Sequence, residues 1–139
     1  MILVTGINSF GQQSKMPTVL EWNPSPNETI TNVTYNDTGT IIVVESTIDN
    51  KSMLTILTYN EKGKAKNQIA RINNHEQFKL LSNSVYVFYD GIKSFSKINK
   101  DGKIWASGEF SLDGKIDDYK FTDNGFFKID GGISYYLIR

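Results

Sequence analysis

Five dipeptides constrain this chain more than anything else in it: Asp90-Gly91, Asp101-Gly102, Asp113-Gly114, Asn124-Gly125 and Asp130-Gly131. The first four fall about 11 or 12 residues apart, the spacing of short antiparallel strands joined by tight turns. Asp-Gly and Asn-Gly supply the positive φ that primed turns need, and those turns match the twist of the flanking strands. Apolar and β-branched runs recur along the chain, at residues 2–5, 41–44, 54–59, 85–89, 94–98, 104–107, 126–129 and 134–138. Several alternate with polar residues, as in Ser94-Phe95-Ser96 and Lys128-Ile129-Asp130, which is the period of a half-buried strand. The pattern predicts an all-β antiparallel meander occupying residues 1–139 as a single domain.

Helical signals are sparse. Residues 61–77 hold Lys, Ala, Gln and Glu, but Gly63 and the Asn73-Asn74 pair interrupt them, so the segment reads as a long polar connection with at most one helical turn. Residues 16–32 contain all three prolines, Pro17, Pro24 and Pro26, and read as a second connection running over the surface.

The chain also resembles itself. Residues 2–12 lie over residues 104–114, each a strand, a glycine, and a short polar-aromatic loop with a second glycine. Residues 78–96 lie over 119–137, each with three strands and two turns, and residues 31–57 form a looser third copy. Offsets of about 40–45 residues are the size of one propeller blade.

Three segments carry a family resemblance. Thr5-Gly6-Ile7-Asn8-Ser9-Phe10-Gly11-Gln12 resembles the Gly-x-Asn-x-x-Gly-Gln-Leu-Gly signature of the regulator of chromosome condensation repeats. Lys100-Asp101-Gly102-Lys103-Ile104-Trp105-Ala106-Ser107-Gly108 is similar to the strand that precedes that signature, and Asp130-Gly131-Gly132-Ile133-Ser134-Tyr135-Tyr136-Leu137 to the family's Gly-Gly-x-His-Ser-Leu-Ala-Leu segment. The chain departs from the pattern at Gln13-Ser14, where Leu-Gly is expected, after Gly108, and at Ser134, where the family has His. The resemblance implies propeller-type repeats that offer surfaces to protein partners, in some members to a small GTPase. A full propeller needs about four to eight blades, so about three shortened, degenerate blade-like repeats are expected here. Residues 2–5 are then placed to pair beside residues 134–138 and close the structure.

Chemistry-bearing constellations are few. His75, the single histidine, has no nucleophile motif with it and reads as a solvated loop residue. There is no cysteine, which removes disulfides and thiolate metal sites and fits a reducing compartment. The carboxylates within 113–118 and 123–130 lack the alternating ligand spacing of a calcium loop and read as turn residues. Gly6 and Gly11 do not make a dinucleotide fingerprint. No catalytic residue, cofactor or metal ligand is assigned, and the protein is expected not to be an enzyme.

Lys plus Arg and Asp plus Glu number 15 each, so no net field draws in nucleic acid or an anionic membrane. Met1-Ile2-Leu3-Val4-Thr5-Gly6 is neither a signal peptide nor a membrane span, and the expected location is intracellular, cytoplasmic before nuclear. Three residues stand out as partner contacts. Lys93 and Lys97, two of four lysines around Phe95, align along a strand as a basic face for RNA phosphates or as guards of a strand edge. Trp22, in the proline-stiffened Glu21-Trp22-Asn23-Pro24, either caps the chain's own core or anchors an interface. The expected function is a non-catalytic protein-interaction module, self-associating or built into a larger assembly. The alternatives are a small-GTPase regulator, by the resemblance, and a factor docked on a ribonucleoprotein such as the ribosome, with nucleic acid met only through that assembly.

Overall fold

The computed structural model describes residues 16, 18, 20–59, 68–108 and 111–138. The runs at residues 2–5 and 5–12 lie outside these, as do residues 61–67 of the first polar connection. The described residues are all-β, with eleven strands, a single 3-10 turn at Ile116–Asp118, and no α-helix.

The strands form three antiparallel sheets, each a meander of consecutive strands. Sheet 1 is β1 (Glu28–Tyr35), β2 (Ile41–Ile48), β3 (Lys51–Thr58) and β4 (Gln68–Asn73). Sheet 2 is β5 (Gln77–Leu80), β6 (Ser84–Tyr89), β7 (Ser94–Asn99) and β8 (Ile104–Ala106). Sheet 3 is β9 (Tyr119–Thr122), β10 (Gly125–Ile129) and β11 (Ile133–Leu137).

Alternation along β6 explains how the sheets stack. Its side chains point to opposite faces in turn, and Ser84 through Phe88 are all buried. Val85 and Val87 join Ile98 in one core with Ile41, Val43, Leu54 and Ile56 of sheet 1. Tyr86 and Phe88 join Phe95 in a second core with Tyr119 and Phe126 of sheet 3. Sheet 2 is therefore the middle layer, covered on both sides, and its central strand reads as a continuous apolar run.

Two of the expected connections are partly strand. Glu28–Tyr35 pairs with β2 right after the prolines, and Gln68–Asn73 lies within the polar link expected at residues 61–77, whose last residue, Gln77, begins β5. In Gln68–Asn73, Ala70 and Ile72 face the first core while Ile69 and Arg71 face away, so the alternation is present but diluted by polar residues.

The turns follow the dipeptides with one exception. Asp90 and Gly91 both adopt positive φ, and Gly102, Gly114 and Gly131 do as well. Asp49-Asn50, between β2 and β3, is a further primed turn that contains no glycine. Neither Asn124 nor Gly125 has positive φ, and Gly125 is instead the first residue of β10.

Candidate interaction surface

On the face of sheet 1 that points away from sheet 2, a carboxylate sits fully buried. Glu28 accepts from Ser46 Oγ at 2.5 Å, from the Ser25 amide at 3.0 Å and from Arg71 Nη2 at 3.0 Å. Arg71 also donates to Thr55 Oγ1 at 3.0 Å, and its guanidinium lies 5.3 Å from the centre of the Trp22 ring. Trp22 thus packs on the chain's own sheet, stacked on a cation that is itself paired. The arrangement is a salt bridge with its carboxylate buried and its guanidinium partly exposed, and both oxygens of Glu28 have partners.

The Ser46 hydroxyl, then the Ser25 amide and Arg71, hold the Glu28 carboxyl at about 2 against an ordinary 4.5, with burial opposing them. A depressed folded-state value makes the contribution full above pH 4.5 and lost as pH falls through about 2. The expected loss is on the order of 2–3 kcal/mol. Urea midpoints measured from pH 6 to pH 2 should show it, and Glu28→Gln should flatten that acid limb. Parallel curves for the two proteins would remove the assignment.

The two lysines do not share an exposed face. Lys93 is exposed and ends the turn before β7. Lys97 lies within β7, an interior strand, and is buried, its ammonium donating to Asn99 Oδ1 at 2.6 Å. Burial pushes its pKa down, while Asp123 and Asp101 act in the other direction. The expected strand alignment fails because sheet 3 covers the side of sheet 2 on which Lys97 stands. His75 likewise differs from the solvated residue expected: it is half-buried in the link between sheets 1 and 2, with Nδ1 out of solvent and without a hydrogen bond among the described residues.

At one end of the stack, the β1–β2, β5–β6 and β9–β10 connections meet around an open cleft of about 520 Å³ with a mixed polar and apolar lining. Asn36 closes its own loop, accepting from the Thr40 and Ile41 amides at 2.9 and 3.1 Å, and donates to Ser82 O at 2.7 Å. Asp123 reaches back from sheet 3 to accept from the Asn83 amide at 3.1 Å and Ser84 Oγ at 2.7 Å. These side chains are spent on joining sheets. Among the described residues no three His, Cys, Asp or Glu side chains converge as a metal site would need.

Sheet 3 differs from the other two. Its inner face holds Tyr119, Phe121, Phe126 and Tyr136 against sheet 2, yet on its outer face the β10–β11 pair is apolar as well, with Lys120 and Thr122 of β9 beside it. Ile129 pairs with Ile133, and Phe127 with Tyr135, whose rings stand 4.4 Å apart. Ile129, Tyr135 and Leu137 are about half exposed and Ile133 is 74% exposed. Contiguous exposed apolar side chains of this kind mark an interaction site. Where β11 meets sheet 2, Trp105, Phe126, Tyr136, Leu137 and Ile138 line an apolar cleft of about 230 Å³. Sequence reasoning placed these residues on strands without identifying the outer face, although Phe127, Ile129, Ile133, Tyr135 and Leu137 alternate across one turn as a second apolar set.

Comparison with protein-family models, with curated proteins and with solved structures gives no match. Fold and surface define an all-β protein of three stacked meanders, with no helix among the described residues long and apolar enough to cross a membrane.

Proposed function

We propose that this protein is a non-catalytic interaction module, a subunit or docking factor whose contact surface is the outer face of sheet 3. The observation that carries the reading is the exposed apolar set Ile129, Ile133, Tyr135 and Leu137 on a protein of zero net charge. Burying those side chains against a partner is favourable at about 25 cal/mol per Å² of apolar surface, and zero net charge gives no repulsion to resist it. Consecutive strands in each sheet and face-to-face stacking of successive sheets favour reading the sheets as blades of a short propeller-type array. The ribonucleoprotein alternative is weakened, since Lys97 is withdrawn from the basic face it requires. The GTPase alternative rests on the resemblance alone.

Ile129→Lys combined with Ile133→Lys should leave the fold intact, because both side chains point outward and surface changes cost within about 0.5 kcal/mol. Light scattering across concentration, with affinity capture from native lysate, should show an assembly for the unaltered chain and a monomer without partner for the variant. A monodisperse monomer that captures nothing in the unaltered form would end the reading, and so would a variant that still captures the same partner.

A further inference from the structure

Among the described residues, sheet 3 ends on β11, with no strand paired beyond it. Ile138 N–H donates to Asn124 O at 2.9 Å, and bonded pairs alternate along an antiparallel ladder. Ser134 and Tyr136 therefore turn their backbone groups toward β10, whereas Ile133, Tyr135 and Leu137 turn theirs outward. Such a row is a template for another strand, and proteins normally guard it. The other edge strands here are guarded. β4 carries Arg71, β5 Lys79 and β9 Lys120, β1 is irregular between Ile30 and Asn32, and β8 is only three residues long. Ile133–Leu137 has no charge, no proline and no bulge.

We propose that a second copy of this chain occupies this edge, β11 pairing antiparallel with its own equivalent about a two-fold axis at Tyr135. The strand is self-complementary in that register, and this selects the occupant. The axis sets Tyr135 opposite Tyr135, Ile133 opposite Leu137 and Ser134 opposite Tyr136. Ile133, Tyr135 and Leu137 are the residues with outward backbone groups, so each facing pair of them hydrogen-bonds in both directions. The side chains match as well. On the outer face an aromatic meets an aromatic and a branched aliphatic meets another, and apolar cross-strand pairs of this kind stabilise a sheet. On the inner face the Tyr136 ring, which lines the apolar cleft with Trp105, meets the small side chain of Ser134. No like charges stand opposite each other, and 15 basic against 15 acidic residues leave no net repulsion between copies. The pairing rests on the interaction reading above and names its partner. It joins the outer faces of two sheets into one apolar surface, so the docking face belongs to the pair.

The chain has no cysteine, so single cysteines report which residues face each other. Tyr135→Cys should form a disulfide between copies on mild oxidation, since bridging needs Cα atoms within about 7 Å. Ile133→Cys alone and Leu137→Cys alone should form roughly tenfold less, because like positions then lie about 14 Å apart along the strands. A mixture of those two variants should form the mixed disulfide as readily as Tyr135→Cys forms its own. Ser134→Lys gives a second reading that leaves the apolar outer face in place. It guards the edge as Lys79 and Lys120 guard theirs, and it sets two lysines diagonally across the axis, about 7–8 Å apart. Light scattering should read a dimer for the unaltered chain and a monomer for Ser134→Lys, with the same circular dichroism spectrum. Equal disulfide yields at all three positions, no disulfide at 135, or a Ser134→Lys dimer would each overturn the proposal. An unaltered monomer that captures a different protein, and loses it with Ile129→Lys and Ile133→Lys, would overturn this pairing while the interaction reading stands.

Discussion

Phe88→Ala is expected to cost about 3–5 kcal/mol, the range for emptying a buried aromatic site. Phe88 stands on β6, the central strand of the middle sheet, with no exposed surface. Its ring lies 5.2 Å from Phe121 of sheet 3, 6.1 Å from Phe95 and 6.4 Å from Tyr86. Collapse into the vacated space is limited because the opposite side of the same strand is held by Val85 and Val87 in the other core. The cavity therefore persists, and loss of ring–ring contacts adds to the transfer cost. Phe88→Leu, which keeps most of the volume, should cost less than half as much. Urea unfolding measures both, and a Phe88→Ala cost under about 1 kcal/mol would mean that sheet 3 is not seated on sheet 2.

That stacking was the part least legible in the amino-acid sequence. Turn dipeptides and β-branched runs place β6, β7, β8, β10 and β11 close to their observed limits, because tight turns and period-2 alternation are local signals, whereas β5 and β9 are not among those runs. β1 and β4 were harder to read. Thr29, Asn32, Thr34 and Gln68, Arg71, Asn73 dilute the apolar alternation of edge strands, and edges need less apolar surface than interior strands. The order of residues 78–96 and of 119–137, strand-turn-strand-turn-strand, is also that of β5–β7 and β9–β11.

The residues of interest depended on which face is covered, and that is a tertiary property. Lys97 looks like any strand lysine in sequence, yet sheet 3 buries it, whereas Ile133 and Leu137 look like core and are exposed. Trp22 was legible as an aromatic needing something to pack on, but its partner Arg71 lies far along the chain. A strand whose two faces are both apolar announces burial on both sides. β6 has two neighbouring sheets to provide it, and the outer face of sheet 3 has none among the described residues.

Gly125→Ala is expected to cost about 3 kcal/mol or more, for a reason different from the usual one for glycine in a turn. Asn124-Gly125 has the composition of a primed turn, yet Gly125 sits in β10 with ordinary strand backbone, paired to Thr122 and Leu137. A Cβ there would overlap Tyr136 O and stand 3.1 Å from Leu137 Cα. Both are backbone atoms, so no side-chain rotation relieves the overlap and β10 must part from β11. Gly125 O also accepts from the Tyr86 hydroxyl at 3.1 Å, which is shared with Thr122 O at 2.8 Å. Displacing Gly125 would therefore strain a buried hydrogen bond between sheets 2 and 3 as well as the ladder. Asparagine separates the two explanations, because it tolerates left-handed backbone far better than alanine does. Gly131, with φ of 65° and nothing within 4 Å of an added Cβ, should accept Asn at little cost. Gly125→Asn should be at least as damaging as Gly125→Ala. Rescue by Asn at 125, or an Ala variant within about 1 kcal/mol of the unaltered chain in urea unfolding, would show that β10 and β11 do not approach as closely as this glycine requires.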